Sequence, residues 1–412
     1  MNGMTTRFLN ILRHALRGQS FRETDALTQV QWAELFELAR VHRVMPIIYG
    51  AVYTADSLQQ ADAAFLDAVK RQVRQQVIGQ TMRTAEFLEL NEKLRTAGAT
   101  PLVVKGIICR ELYPQPDYRQ SSDEDVLIPA EQFALCHKVM LEMGMQTTET
   151  NPADAFEVPY RKAGSPLYIE LHKQLFAPES DAYADLNRFF EGAFERTVSE
   201  TIQGRTVDTL GHTDHLFYLI CHAFKHFLHS GFGIRQVCDI ILFANRYGKQ
   251  VDWLQVLEDC KQIRAEKFAA AIFQIGSKYL VFDPEQAAYP AAWQEIQVDE
   301  MPMLADLLSG GLYGDASMSR KHSSNITLDA VAAQKQGRKT KGALLTSVFP
   351  PVDKLTGRYP YLKKCPYLAP VAWADRLFHY ATETKNTKNN HAADALKIGN
   401  QRVALLQEYD II

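Results

Sequence analysis

The chain has 412 residues, 46% hydrophobic and 23% charged, with 45 Lys and Arg against 48 Asp and Glu for a formal charge of -3. That length allows about two to four domains with substantial cores. The near balance of charge excludes a basic nucleic-acid coat and an acidic tail, so any polyanion is met locally. The most apolar stretch, Leu216 to Leu228, is broken by His222, Lys225 and His226 and falls short of the ~18 consecutive apolar residues of a membrane helix.

The opening MNGMTTRFLNILRHALRG is amphipathic but lacks the apolar core and cleavage site of a secretion signal, so the expected location is the cytoplasm. Six cysteines are scattered without CxxC spacing, the pattern of reduced packing residues and not of disulfides or a zinc knuckle. Residues 1–98 read as a helical region: WAELFELARVHRVMPIIYGAV and TAEFLELNEKLRTAG repeat apolar residues at three and four before a Gly98 stop. In residues 99–207 the texture becomes strand, helix, strand, helix, strand: LVVK, IICRELY, DEDVLIP, EQFALCHKVMLEMG and the alternating YIELH. This predicts an α+β core, a small mixed sheet with helices against it.

Residues 208–314 return to helix through HLFYLICHAFKHFLHSG, IRQVCDIILFANRYG and DWLQVLEDCKQIRAEKFAAAIFQIGSKYL. Residues 315–345 carry Arg320, Lys321, Lys335, Arg338, Lys339 and Lys341 against Asp315 and Asp329. They lack a periodic apolar face, so the expectation is a mobile basic segment, either a solvated loop or an arm for a polyanion. Residues 346–412 are rich in Pro and Tyr, then helical, then polar, and are expected to pack on the core.

Asp123 and Asp125 stand two apart in the second strand, so alternation puts both carboxylates on one face and turns Glu124 to the other. Two such carboxylates repel unless a cation lies between them. Mg²⁺ prefers oxygen ligands and shares them with substrate phosphates, so the pattern suits a metal–nucleotide complex. Lys105 and Gly106 end the preceding strand and Arg119 lies four residues before Asp123. The glycine lets backbone NH groups approach an anion and the two cations offset phosphate charge. Glu170 shares its strand face with Tyr168 and His172, so a third carboxylate can converge on the same point.

The string LVVKGIICRELYPQPDYRQSSDEDVLIP, with IELH, HAFKH, IRQVCDI and RYPYLKKCPYLAPVAW further on, resembles the bacterial nucleotidyltransferase-like family of the DNA polymerase beta superfamily. The resemblance implies transfer of a nucleoside monophosphate from an NTP, ATP among the candidates, to an acceptor, with Mg²⁺ or Mn²⁺ as cofactor and pyrophosphate released. It places Asp123, Asp125 and Glu170 as metal-holding catalytic acids, with Lys105, Gly106 and Arg119 toward the nucleotide. The sequence departs from the superfamily pattern in having Lys-Gly where Gly-Ser is usual and in placing Glu124 between the aspartates. A binding or regulatory protein without turnover is therefore the alternative. The acceptor stays open, a sugar phosphate, an antibiotic hydroxyl, a protein side chain or a nucleic acid such as tRNA; net charge gives no support to the last.

On a helical wheel His215, His222, His226 and His229 fall within roughly 60° of one another, with Lys225 beside them. The spacing of His222 and His226 could chelate zinc, as in a metal phosphohydrolase, although the HExxH glutamate is absent because Ala223 follows His222. The stripe could equally be a hydrated or packing face. The resemblance favours His222, Lys225 and His226 lining the nucleotide cleft.

Overall fold

A computed structural model of the chain describes residues 3–22, 25–229, 231–310, 318–337, 352–355, 359–376 and 392–412. The chain opens with helices α1 (Gly3–Leu16), α2 (Gln29–Val41), α3 (Met45–Val52), α4 (Asp56–Gln59) and α5 (Ala63–Thr96). Phe8, Leu9, Ile11, Leu12 and Leu16 give α1 a buried stripe at helical spacing. Thr28 and Gln31 cap α2 reciprocally. At 34 residues α5 is about 50 Å long. Its middle braces the loop ahead of the acidic strand: Gln80 Oε1 accepts from the Ser121 NH at 2.8 Å, and Arg83 donates to the carbonyls of Pro166 and Ser121.

A four-stranded sheet follows, built from β1 (Leu102–Val103), β2 (Glu124–Leu127), β3 (Glu157–Arg161) and β4 (Tyr168–His172), with α6 (Ile107–Arg110) between β1 and β2 and α7 (Phe133–Glu142) after β2. The spatial order is β1-β2-β4-β3; β2 and β4 run parallel and the outer pairings are antiparallel. The sheet is mixed and small, in an otherwise mostly helical chain, as expected. All four residues of β2 are buried, as a central parallel strand requires. Strand β3 and the hairpin β5 (Thr197–Ile202) with β6 (Arg205–Leu210) go beyond the sequence reading. The hairpin turns on Gln203 and Gly204, both at positive φ, and Gln is a rare residue for the first of those positions.

The larger helical core holds α8 (His212–Leu228), α9 (Ile234–Tyr247), α10 (Trp253–Gln262) and α11 (Glu266–Tyr279). The continuous helical pattern from residue 253 to 280 is broken where Arg264 takes φ 57°. Short α12 (Ala291–Gln294) and α13 (Met301–Gly310) lead to α14 (Met318–Lys335). Over its described part the basic segment is therefore a helix, not a loop. It buries Ile326, Ala330 and Val331, and Thr327 donates to the Leu228 carbonyl at 2.5 Å. Lys335 pairs with Asp185; Arg338, Lys339 and Lys341 lie outside the described residues. The last helix, Ala392–Glu408, packs on α14, and a Cβ at Gly399 would meet Ile326 Cδ1 at 2.5 Å, which explains the glycine. From this helix Arg402 pairs with Asp306 and donates to the Phe227 carbonyl. Among the described residues all six cysteines are free, and no helix is long and apolar enough to cross a membrane.

Candidate active site

The acidic strand separates two carboxylate environments. Glu124, fully buried, points away from its neighbours' side: its Oε2 accepts from the Ile107 NH at 2.8 Å and its Oε1 from Arg110 Nη1 at 2.5 Å. It does not join the aspartates as a ligand. A Cβ on Gly106 would lie 1.9 Å from Glu124 Oε2, and Gly106 has φ +55°, so only glycine fits there. This changes the reading of Gly106. The four-residue helix it opens offers its first NH to the protein's own Glu124, not to a phosphate.

On the opposite face the parallel register sets Asp125 beside Glu170, with His172 two residues further along β4. His172 Nε2 lies 3.2 Å from Asp125 Oδ1 and 3.8 Å from Glu170 Oε2. Asp125, Glu170 and His172 each offer a ligand atom within 4.8 Å of the others. Asp123, just before β2 and partly exposed, is outside that tight group but joined to it by Lys105, whose Nζ lies 3.5 Å from Asp123 Oδ2 and 2.8 Å from Asp125 Oδ2.

Burial opposes charge on Lys105, but Asp123 and Asp125 outweigh it and raise the lysine well above its usual range. Burial likewise opposes the Asp125 carboxylate, which Lys105 and His172 hold ionised, below the ordinary range. Glu170 is pushed up to about 8, first by burial and then by Asp125 and Asp123. One ammonium thus faces three carboxylates, and the site relieves the excess by protonating one of them. This shortfall of positive charge and the oxygen-rich donor set fit Mg²⁺ or Mn²⁺, the imidazole being the less usual partner for Mg²⁺.

Helix α8 forms the facing wall. His222 Nε2 lies 3.2 Å from Lys105 Nζ and 3.3 Å from His226 Nε2, and Gln236 of α9 reaches His222 Nδ1 at 3.4 Å. Burial, then Lys105, holds His222 far below its usual range; burial, then Lys225, does so for His226. Both are neutral imidazoles at pH 7. Lys225 is lowered by burial and by Lys105, and Arg235 donates to the Gln120 carbonyl at 2.8 Å. His215 departs from the expected stripe: it is fully buried, bonded to Thr209 and packed on Phe243. His229 contacts the Tyr183 hydroxyl. The stripe thus divides, His215 packing in the core while His222 and His226 face Lys105, because α8 is buried nearly all round. Among the described residues the group of three or more side chains able to hold a metal is Asp125, Glu170 and His172, and His222 and His226 do not belong to it.

Arg119 lines the same small cavity but its guanidinium is committed. It pairs with Asp239 at 2.6 Å, and Tyr113 donates to the same carboxylate at 2.8 Å. It is a buried strut between the β2 loop and α9, not a free phosphate contact. The cavity between the two walls is about 30 Å³ and is lined by Lys105, Asp123, His222, Arg235 and Gln236 among others. That is room for about one or two waters. The sequence reading gave no role to Arg235 and Gln236, although IRQVCDI carries them one turn before Asp239.

A family model described as an uncharacterised nucleotidyltransferase matches residues 28–280. No curated protein matches the chain. The crystal structure of an antigenic nucleotidyltransferase-like protein from Paracoccidioides brasiliensis is similar over 50% of this chain and 96% of its own, with 12% identity and a TM-score of 0.31, a likeness too slight to carry an argument.

Proposed function

Because the match over residues 28–280 takes in more than half of it, the chain belongs to the uncharacterised nucleotidyltransferase family, and we propose that it moves a nucleoside monophosphate from an NTP to a hydroxyl-bearing acceptor. The acceptor oxygen would attack the α-phosphorus, the bond to the β-phosphate would break, and pyrophosphate would leave. The observation that carries this reading is the pairing of Asp125 with Glu170 across β2 and β4, opposite a wall bearing Lys225, which has no carboxylate partner among the described residues.

Asp123, Asp125 and Glu170, with His172 beside them, would hold Mg²⁺ or Mn²⁺. When bound, such an ion supplies charge to the triphosphate and acidifies the attacking hydroxyl. Asp125 is kept ionised by Lys105 and oriented by His172. In the metal-free protein Glu170 carries a proton; it would give this up as a cation binds, and the freed carboxylate would then take the hydroxyl proton. Lys105 lies between the aspartates and His222, so a short swing carries its ammonium from carboxylate to phosphate. Lys225 and Arg235 offset the charge that builds on the leaving group. Because Glu124 is spent on Arg110 and Ile107, one ground for a protein without turnover is removed.

The test incubates the protein with each α-labelled NTP, Mg²⁺ or Mn²⁺ and a cell extract, with Asp125→Asn as control. Label entering an acceptor with stoichiometric pyrophosphate, absent in the variant, is the expected result. Nucleotide binding without any transfer would leave the chain as a binding protein.

A further inference from the structure

We propose that the cleft bounded by the end of α1, the C-terminal part of α9 and the segment after α11 is a second binding site, taking a phosphorylated small molecule with an apolar or aromatic body. Its volume is about 590 Å³, within the range of small-molecule sites, and it shares no lining residue with the cavity at Lys105. Asp239, in the candidate active site, and Arg246, in this cleft, are about 10 Å apart along α9.

Three guanidinium groups stand round the cleft, Arg13 from α1, Arg17 just after it and Arg246 from α9. Arg13 donates from Nε to the Tyr279 carbonyl at 3.2 Å and also to the Lys278 carbonyl. It thereby caps the end of α11 and is held in place with its charge unneutralised. Burial and the nearby Arg17 both disfavour that charge. Arg246 lies over the Tyr247 ring. Among the described residues no carboxylate pairs with any of the three. The acid in the lining, Asp283, accepts from the NH groups of Glu285 and Gln286 through Oδ1.

Like charges gathered in one cleft without a counterion call for an anion, and planar guanidinium forks match phosphate best. The floor adds the second half of the ligand. Leu112, Val281 and Pro284, each half-buried, line it, which a bare phosphate would leave uncovered. Nucleotides and alkyl phosphates both have this chemistry.

The test is calorimetry on the full chain in EDTA, which disables metal-dependent binding at the carboxylate site. The probes are AMP, hexyl phosphate and inorganic phosphate. AMP or hexyl phosphate should bind more tightly than inorganic phosphate. The double variant Arg17→Ala with Arg246→Ala should weaken that binding roughly tenfold or more, and Lys225→Ala should leave it unchanged. Arg13 is spared because it caps α11. Preference for AMP would identify a nucleotide site, and preference for hexyl phosphate a lipid-like one. Failure of both probes to bind, or binding that the arginine pair does not weaken, overturns the proposal.

Discussion

Glu124 and Asp125 are adjacent, buried and acidic, yet the two faces of β2 treat them oppositely. On one face the carboxylate is answered: Glu124 receives Arg110 and a backbone NH. On the other, Asp123, Asp125 and Glu170 share Lys105, and Glu170 keeps a proton to make up the difference. A balanced buried pair organises structure, whereas an unbalanced group is where a cation or a reacting phosphate gains most from binding. The contrast also assigns Gly106, which serves the balanced face.

The sharpest test of the contrast is Asp125→Asn. Transfer should fall by about three powers of ten, ~4 kcal/mol in the barrier. The folding midpoint should stay close to the wild type, since Lys105 keeps Asp123 and Glu170 loses a repelling neighbour. Label transfer and thermal unfolding on the same sample check both halves; a large fall in midpoint would mean that this face, too, is structural.

On the balanced face Arg110→Ala should do the reverse, costing ~3–5 kcal/mol of folding stability by leaving Glu124 buried and unpaired. Adding Glu124→Gln should restore part of that loss in denaturant titrations. Additivity of the two changes would show that the pair is not coupled.

Gly106→Ala is expected to cost ~2–3 kcal/mol through overlap with Glu124 and a strained φ. If the same substitution left stability unchanged but abolished nucleotide binding, the glycine would belong to the other face after all.

The smallest effect is the pH dependence from Glu170. Its folded value of about 8 lies above the ordinary 4.5, so between those values the native state binds more protons than the unfolded one. Stability in EDTA should therefore fall as pH rises through this window and level off above it. The side chain is 21% exposed, so the expected change is on the order of 1–2 kcal/mol, below the full linkage value. Glu170→Gln should flatten the profile, and denaturation at pH 5 to 8.5 reads it directly.

Much of the unbalanced face was legible in the sequence, because period-two alternation in DEDVLIP and YIELH selects Asp123, Asp125 and Glu170 and turns Glu124 away. Register is a different matter: nothing local states that Asp125 pairs with Glu170, or that His172 completes the group. Arg119 was misread because its partner Asp239 lies 120 residues away, and a buried arginine and a phosphate-binding one look alike in sequence. In α14 the buried residues Ser323, Ile326, Thr327, Ala330 and Val331 do recur at three and four, but the small and hydroxyl side chains among them leave a weak apolar signal.

The end of α8 has one further consequence. Its final carbonyls, at Phe227 and Leu228, accept from Arg402 and Thr327, groups that stand in for the next turn the helix does not have. The turn they terminate carries Lys225 and His226. Arg402, near the far end of the chain, thus acts with Thr327 of α14 as a clamp on the cationic wall. Trimming the chain before residue 392 would be felt there as a loosened grip, in a protein whose acidic strands were untouched.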